Sequence, residues 1–430
     1  MKPFINNDQN FSRLYRLDNA ANLYPVIRGR KRPGVFRVSA DLYDSIQPPI
    51  LQQALDITLK RFPGFSVNLR AGLFWYYFVH SSEQLIIQED VSNPCKDISS
   101  SENNGFLMRV RYHKNRIAVE FFHSVTDGAG AMTFLKTLIA QYLTLLGHQI
   151  PHSQDILDCI ELPPPEESQD SFRPFAEFSA PRKRQILRAY HIKGSLLPTH
   201  SLRTITGIIP IDALQIETRK MGVSITEYLV AAYLFTLNKI QLSEEPRRPL
   251  PIKIQVPVNL RHFHKTNTLR NFSAFVMPGI DPAHGIYSFD ETLILVHHFM
   301  HFEVTEKLLR TQVAENLRTA MNPFIRIMPL FIKKHLIKTI YKYVGPSSFT
   351  STISNLGVVK VPKIMERHVK AFNVTLGATR DTNVSCGLLG YKDNIRICFS
   401  RVIEEAHVER EFFTFLVKMG IPIAVESNQE

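Results

Sequence analysis

The chain has 430 residues, of which 44% are hydrophobic, 21% charged and 10% aromatic, and this composition is typical of a globular protein with two or three domains. Its 51 Lys and Arg against 39 Asp and Glu give a net charge of +12, which favours acidic partners such as a phosphate-bearing cosubstrate, an acidic carrier protein or an anionic membrane surface. The basic residues are spread along the chain, so the charge does not indicate a nucleic-acid-binding protein.

Several absences in the sequence bear on its compartment. No uncharged apolar run is long enough for a membrane-spanning helix, and the N-terminus lacks the apolar stretch of a signal peptide. The four cysteines form no C-x-x-C pair, so we expect no disulfide framework and a reducing compartment. Together these features predict a cytoplasmic protein.

The first third of the chain alternates predicted strands and helices. A helix over 49–65 places Leu51, Leu55 and Leu59 on one face, and a second helix follows Gly130 with apolar residues at 3,4,3,4 spacing. Alternating or aromatic apolar runs predict strands at residues 34–42, 65–70, 72–79, 84–88 and 116–122.

Residues 147–184, which are rich in proline and acids, are predicted to be a connecting segment, and strands and helices resume beyond it. Ser224 and Glu227 have the spacing of a capping box at the start of a buried helix over 224–237. Residues 291–344 are predicted to be mostly helical, and strands are predicted at 204–210, 253–261, 371–377 and 394–400. Strands interleaved with long helices in both halves predict an α/β fold with two layered units rather than one barrel.

The stretch at 329–344 combines apolar and basic residues, and two interpretations stay open. It can be a helix packed on the core with a lysine-rich outer face, which we favour, or a helix that contacts an anionic membrane. The apolar positions are Leu330, Ile337, Ile340 and Val344, and the lysines are Lys333, Lys334, Lys338 and Lys342.

The histidine pairs do not predict a metal site. His297 and His301 are four residues apart on a predicted helix, and His262 and His264 flank a phenylalanine. A zinc site needs three or four ligands with supporting acids, and the sequence has no H-E-x-x-H motif. We therefore expect no bound metal.

The stretch FFHSVTDGAG at 121–130 is the candidate for chemistry. His123 ends a predicted strand just before a helix, where a histidine can act as a general base and backbone N–H groups can hold a developing oxyanion. Asp127 and Gly128 supply a charged anchor and a residue with a free backbone. The glycines do not complete a dinucleotide-binding fingerprint, and a G-x-S-x-G motif is absent from the chain.

The chain resembles the acyl-CoA-dependent acyltransferase superfamily that shares the chloramphenicol acetyltransferase and condensation-domain fold, and within it most resembles the bacterial alcohol acetyltransferase branch. The similar segments are RLYRLDNAANLYP, ALDITLKRFPGFSVNLR, GLFWYYF, HSVTDG, RAYHIKG, VPVNLR and SNLGVVKVP, which span residues from about 14 to 363. Phe122 replaces the first of two adjacent histidines of condensation domains, which counts against amide-bond formation between carrier-bound amino acids. The plant D-F-G-W-G motif is absent, which excludes the plant branch.

The resemblance implies two chloramphenicol-acetyltransferase-like lobes, residues 1–165 and 166–430, with mixed sheets and flanking helices around a tunnel between them. It implies that His123 takes a proton from the acceptor hydroxyl, which attacks the thioester directly. It also implies that Asp127 is structural and paired with Arg261. Ser354 or Asn355 would contact the oxyanion or the substrate, although a plain Asn-Gly turn explains that motif equally well.

The sequence therefore predicts a monomeric O-acyltransferase that moves an acyl group, such as acetyl, from acyl-CoA to a small-molecule or lipid alcohol, with no permanently bound cofactor. One alternative is a free-standing condensation-type enzyme whose donor is bound to an acyl carrier protein. Another is a non-catalytic ligand-binding protein. The PRKRQILR run at 181–188 is as consistent with a solvated face as with contacts to the phosphates of coenzyme A.

Overall fold

A computed structural model of the chain describes residues 14–29, 31–99, 101–153, 155–178 and 188–428. The strands are β1 Leu14–Arg16, β2 Val35–Leu42, β3 Val67–Ala71, β4 Tyr76–His80, β5 Gln88–Glu89, β6 Met108–His113, β7 Arg116–Phe122, β8 Arg203–Pro210, β9 Ile252–Asn259, β10 Ser273–Val276, β11 Gly279–Ile280, β12 Ser351–Val358, β13 Val369–Leu376, β14 Val384–Tyr391, β15 Asn394–Arg401 and β16 Ala424–Ser427. The α-helices are α1 Leu23–Ile27, α2 Pro48–Arg61, α3 Gly128–Leu145, α4 Phe172–Phe175, α5 Ile211–Met221, α6 Ile225–Ser243, α7 Phe289–Glu303, α8 Glu306–Met321, α9 Pro323–Ile327, α10 Leu330–Val344, α11 Lys363–Glu366 and α12 His407–Lys418. Short 3-10 turns lie at Pro165–Ser168, Leu260–His262, Pro282–His284 and Pro346–Ser348.

The first lobe is built on a mixed five-stranded sheet with the order β13-β2-β7-β6-β5. Strands β2 and β7 are antiparallel and pair Val38 with Val119, and both strands are almost wholly buried. Helices α2 and α3 place their apolar faces in the same core. Since Val35 pairs with Phe122, the last residue of β7 and the first residue of β2 lie side by side where these two strands end.

The second lobe has an eight-stranded mixed sheet, ordered β10-β9-β12-β14-β15-β8-β16, with β11 also paired to β9. Strands β9, β12 and β14 run parallel to one another, and the remaining pairs are antiparallel. The buried helix α6 packs against this sheet together with α12 and α7.

Strand β13 joins the two halves of the chain. It lies between β12 and β14 in sequence but pairs antiparallel with β2, so the second half contributes an edge strand to the sheet of the first lobe. The small sheet β1-β4-β3 completes the fold beside this first lobe. The prediction of a two-lobed α/β protein with mixed sheets is confirmed.

Most of the predicted elements are present, and the capping box of α6 is formed by Ser224 and Glu227 in both directions. The expectation of no disulfide framework also holds, because the four cysteines are free. The predicted strand at 84–88 is wrong, since only Gln88 and Glu89 are in strand geometry. No helix of the described ranges is both long and apolar enough to cross a bilayer.

The favoured interpretation of helix α10 holds only in part: Leu330 is buried and Lys338 is exposed as expected, but Lys333 and Ile340 are reversed. Its Lys333 is buried, with its ammonium group donating to the carbonyl oxygen of Phe74 at 2.9 Å and lying 3.3 Å from the centre of the Trp75 ring. Ile340, which was expected in the core, is 51% exposed. The Trp75 ring makes a cation–π contact with the ammonium group, and the Phe74 carbonyl accepts a hydrogen bond from it. These two contacts offset the cost of removing the lysine from water, so helix α10 buries Lys333 and exposes apolar side chains.

Candidate functional site

His123 follows the last residue of β7 at the edge where the two lobes meet. Its backbone N–H donates to the carbonyl oxygen of Gly34 at 2.8 Å, which fixes the chain beside the start of β2. The imidazole lies between two aromatic rings: Tyr24 is stacked on it with ring centres 4.6 Å apart and planes 7° apart, and Phe36 lies 4.8 Å away. The histidine is half-buried, so it is enclosed by protein and still reached by solvent.

Asn271, from the second lobe, determines which nitrogen of His123 carries the proton. Its amide Nδ2 donates to the backbone carbonyl of His123 at 3.0 Å, and a carbonyl can only accept. The amide oxygen Oδ1 therefore faces the ring and lies 3.2 Å from Nδ1. Nδ1 must be the donor, which leaves Nε2 with a free lone pair, and no hydrogen bond within the described part of the chain occupies Nε2.

The surroundings of the imidazole keep it neutral. Burial lowers the pKa of His123 below its usual 6.5, and this effect outweighs the opposing influence of hydrogen bonds and of the Asp127 carboxylate. A neutral imidazole with an unpaired Nε2 is the form that can accept a proton at neutral pH.

Asp127 points away from the imidazole and fastens the two lobes together. Its Oδ1 caps helix α3 by accepting from the N–H of Gly130 at 3.1 Å. Its Oδ2 accepts from Arg261 Nη1 at 2.8 Å and from the N–H of Phe272 at 2.9 Å. Burial alone would raise the pKa of this carboxyl, but Arg261 and the backbone donors lower it, so Asp127 is ionised.

Arg261 lies in the 3-10 turn after β9 and has every side-chain nitrogen engaged. Besides Asp127, its guanidinium donates to the carbonyl oxygens of Thr268 at 3.0 and 3.2 Å and of Arg270 at 2.7 Å. The backbone on either side of Asn271 is thereby held, since Arg270 is bound by Arg261 and Phe272 by Asp127.

The glycines after Asp127 allow close approach of the second lobe. A Cβ on Gly128 would lie 2.4 Å from a methyl of Leu356, and a Cβ on Gly130 would lie 2.3 Å from the carbonyl oxygen of Leu269. The two glycines, which do not complete a dinucleotide-binding fingerprint, therefore allow the two lobes to pack closely together. This packing brings the predicted motifs HSVTDG and SNLG together.

Ser354 and Asn355, both predicted to contact substrate, differ in how they are used. Asn355 donates to Thr226 Oγ1 at 2.9 Å and accepts from the N–H of Gly357 at 2.8 Å, so its amide stabilises the strand end. Ser354 is half-buried, and its hydroxyl has no hydrogen bond among the described residues. Ser354 lies two residues before Leu356, which packs against Gly128, and the register of β12 shifts between Asn355 and Val358.

Sequence reasoning missed Asn271, Asp18, Tyr24 and Phe36. Asp18 is fully buried, accepts from the N–H of Ala21 at 2.7 Å and lies 3.5 Å from Asn271 Nδ2. Burial raises its pKa to about 6. The segment containing Asp18 and Tyr24 was recognised as similar to the superfamily, but nothing in its residue types pointed to contacts with His123.

One group of the described residues could hold a metal ion, and it does not include His123: Glu227 on α6 with His297 and His301 on α7. His262 and His264 are not part of such a group in the ranges described. Residues 181–187 of the PRKRQILR run lie outside the described residues.

Comparison of the sequence with protein-family models and with curated proteins gives no match. Solved structures do share the fold. A Fusarium graminearum TRI101 structure with coenzyme A and T-2 mycotoxin is 11% identical, has a TM-score of 0.65, and the match covers 96% of this chain and 99% of that one. The first condensation domain of the calcium-dependent antibiotic synthetase is 13% identical with a TM-score of 0.61, and the match covers 95% of this chain and 97% of that one.

The wax ester synthase/diacylglycerol acyltransferase of Marinobacter aquaeolei VT8 is 13% identical with a TM-score of 0.55, and the match covers 94% of this chain and all of that one. The fold is therefore one that occurs in acyltransferases, in condensation domains and in a protein that binds coenzyme A. At these identities the likeness establishes the architecture.

The contacts of Asp127 predict a large loss of stability when it is replaced. Asp127→Ala removes the partner of Arg261 and leaves the N–H groups of Phe272 and Gly130 unpaired, so we expect the free energy of unfolding to fall by about 3–5 kcal/mol. Urea unfolding followed by circular dichroism measures it. As the control, Glu411→Ala breaks an exposed pair with Lys239 and should cost less than about 1 kcal/mol. Equal losses in the two variants would contradict the assignment.

The hydrogen bonds of Asn271 predict the tautomer of His123. With 15N-labelled histidine, NMR should show Nδ1 protonated, Nε2 unprotonated and a pKa below 6.5 for this residue, identified by its loss in His123→Gln. Asn271→Leu removes the amide oxygen and should abolish the preference for one tautomer. Observation of the Nε2–H tautomer in the wild-type protein would show that the orientation of Asn271 is wrong.

Proposed function

We propose that this protein is an acyltransferase that moves an acyl group from acyl-CoA to an alcohol hydroxyl by direct attack, with His123 as the general base. The observation that carries the proposal is the neutral, half-buried imidazole whose Nδ1 is held by Asn271 and whose Nε2 is free. The fold is shared with acyltransferases and with a protein that binds coenzyme A, which supports the same conclusion.

In the proposed reaction, Nε2 of His123 accepts the proton of the acceptor hydroxyl as the oxygen attacks the thioester carbonyl carbon. The carbonyl oxygen becomes an oxyanion, and its electron pair then returns as the carbon–sulfur bond breaks. The thiolate of coenzyme A takes the proton back from His123. The products are the ester and free coenzyme A thiol, and the imidazole is neutral again. Because no acyl-enzyme forms, no nucleophilic serine or cysteine is needed.

The proposed oxyanion donor is Ser354. Its hydroxyl is free among the described residues, and it lies two residues before Leu356, which packs against Gly128 at the start of α3. A donor aimed at the developing charge acts strongly in a site from which much of the water is excluded. Asn355 is less suited, because its amide already bonds Thr226 and Gly357.

The basic residues around a small cavity suit the phosphates of coenzyme A. This cavity, of about 40 Å³, is lined by Lys31, Lys96, His200 and Arg380, and it includes Pro33, the neighbour of Gly34, whose carbonyl oxygen binds the backbone of His123. His123 itself does not line it. A diphosphate and a 3′-phosphate carry the charge that such a cluster attracts.

The finer expectations from the sequence remain part of the proposal. They are membership of the alcohol acetyltransferase branch, acetyl as the acyl group, a monomer and a cytoplasmic location. The similar structures include condensation domains, which supports a second candidate function: an enzyme whose acyl donor is bound to a carrier protein. A non-catalytic ligand-binding protein is the third.

The first test is release of free thiol from acetyl-CoA and from longer acyl-CoAs over a panel of small and lipid alcohols. His123→Gln should lower alcohol-dependent kcat by about 10²–10⁴ while acyl-CoA still binds, because only proton transfer is lost. His191→Gln is the matched control: His191 is also half-buried with a pKa lowered by burial, but it bonds the carbonyl of Asp381 instead of Asn271.

The outcomes separate the candidate functions. Release that depends on alcohol and on His123 supports the acyl-CoA reaction. Transfer only from an acylated carrier protein would establish the condensation-type alternative. Acyl-CoA or alcohol binding without transfer, equal in wild type and His123→Gln, would establish a binding protein.

A further inference from the structure

Several of the most exposed apolar side chains lie on helices α9 and α10 and on the β3–β4 turn of the first lobe. Phe324 is 78% exposed, Phe331 71%, Leu73 70% and Ile327 68%. We define the apolar face as Leu73, Phe74, Met321, Phe324, Ile327, Phe331, Ile332, Leu336 and Ile340. Exposed apolar patches beyond a few hundred Å² are rare on monomeric proteins unless they bind something.

The β3–β4 turn is bound to the start of helix α10, so these two parts of the apolar face lie together. The N–H of Leu330 donates to the carbonyl oxygen of Leu73 at 2.8 Å, and Lys333 donates to that of Phe74. The ring of Trp75 is covered by the same lysine. These contacts place Leu73 and Phe74 beside Phe331 at the start of α10, directly after α9.

The charged residues that helices α9 and α10 carry are all basic. No Asp or Glu occurs at residues 316–365, whereas Arg326, Lys334 and Lys338 lie on α9 and α10. A second copy of the chain would bring the same cations against this surface, so self-association is disfavoured. Apolar side chains interleaved with cations suit the interface of an anionic bilayer, in which a helix lies in the plane of the headgroups.

We propose that the apolar face docks on an anionic lipid surface, with α9, α10 and the β3–β4 turn at the interface.

The position of the apolar face also bears on the acceptor alcohol of the proposed reaction. Tyr341 of α10 lies next to Tyr24, whose ring stacks on His123, and α1 and α10 pack together. If the proposed acyl transfer is correct, docking brings a membrane-resident alcohol to the side of the site formed by Tyr24, and this part of the inference rests on that function.

Vesicle flotation tests the docking without any acyl donor. The full-length protein should float with vesicles of phosphatidylcholine and phosphatidylglycerol, and bind more weakly to phosphatidylcholine alone or at high salt. Replacing Phe324 and Phe331 together by serine should weaken binding by about tenfold or more. The matched control replaces Ile160 and Leu162 by serine, because they are 92% and 83% exposed outside the apolar face.

Two results would overturn the docking proposal. One is equal flotation of the Phe324/Phe331 variant and the Ile160/Leu162 variant. The other is a wild-type dimer in sedimentation without lipid that is lost in the Phe324/Phe331 variant, since the apolar face would then bind a second copy. Turnover of short alcohols in solution by the Phe324/Phe331 variant shows separately whether the acyltransferase function holds.

A different observation concerns Glu227, His297 and His301 in the second lobe. His297 and His301 are one turn apart on α7, and their Nδ1 and Nε2 atoms lie 3.5 and 3.4 Å from the two oxygens of Glu227. In a tetrahedral zinc site with bonds of 2.0–2.1 Å, neighbouring ligand atoms are about 3.4 Å apart. All three ligand atoms lie within 4.8 Å of one another, so a small rotation of the rings completes such a site.

The ligands are also arranged as a metal site requires. Glu227 is buried and oriented by the N–H of Ser224, which donates to Oε2 at 2.7 Å. His297 Nδ1 has no hydrogen-bond partner among the described residues, and His301 is exposed on the solvent side. We infer that these three residues bind a divalent transition-metal ion of the zinc class, with water as the remaining ligand.

Titration of the metal-free protein with Zn²⁺ by calorimetry, and with Co²⁺ by its visible absorption, tests the site. We expect one tight equivalent that is weakened about 10–100-fold or more in His301→Ala and in Glu227→Gln. Glutamine can preserve the capping box of α6, so folding is retained. The control is His298→Ala, an exposed neighbour on the same helix. Unchanged affinity in His301→Ala and Glu227→Gln, or no Co²⁺ spectrum, would refute the site.

Discussion

The buried ion pair between Asp127 and Arg261 is the interaction on which the candidate site depends. It lies where the cores of the two lobes meet, and it leaves no polar atom of the pair idle: the carboxylate also accepts two backbone N–H groups, and the guanidinium also donates to two carbonyl oxygens. A pair removed from water is stable only when its remaining hydrogen bonds are satisfied in this way. All the hydrogen bonds of the Asp127 carboxylate are therefore used in holding the two lobes and helix α3 in position.

The consequence of that pair for His123 passes through one residue. The backbone is fixed on both sides of Asn271, because Arg261 binds the carbonyl oxygen of the residue before it and Asp127 binds the N–H of the residue after it. This restricts the positions that the Asn271 side chain can take. It binds His123 at both the backbone carbonyl and Nδ1 and so selects the tautomer. The imidazole on the first lobe is thus oriented by the second, so the candidate site is formed by residues of both lobes.

The sequence predicted the elements that local pattern determines. The strand before His123, the helix after it, the capping box at Ser224 and the two-lobed α/β class follow from periodicity, turn residues and resemblance. Asn271 could not be found, because an asparagine in a loop carries no pattern and its role depends on pairing at a separation of 148 residues. Helix α10 was misread because the partner of Lys333 is the β3–β4 turn, far away in the chain. Glu227 escaped notice as a possible ligand because it comes from a different helix than the histidines.

The imidazole must meet two opposed demands, and the arrangement of its neighbours satisfies both. Removal from water keeps it neutral, whereas proton transfer requires that a substrate reach it. Tyr24 and Phe36 cover the ring, and Asn271 occupies the Nδ1 edge. The Nε2 edge is left, so the side chains that desolvate His123 also define the direction of approach for the acceptor hydroxyl of the proposed reaction. Since Tyr24 in turn lies next to Tyr341, helix α10 of the apolar face packs beside the ring that is stacked on His123.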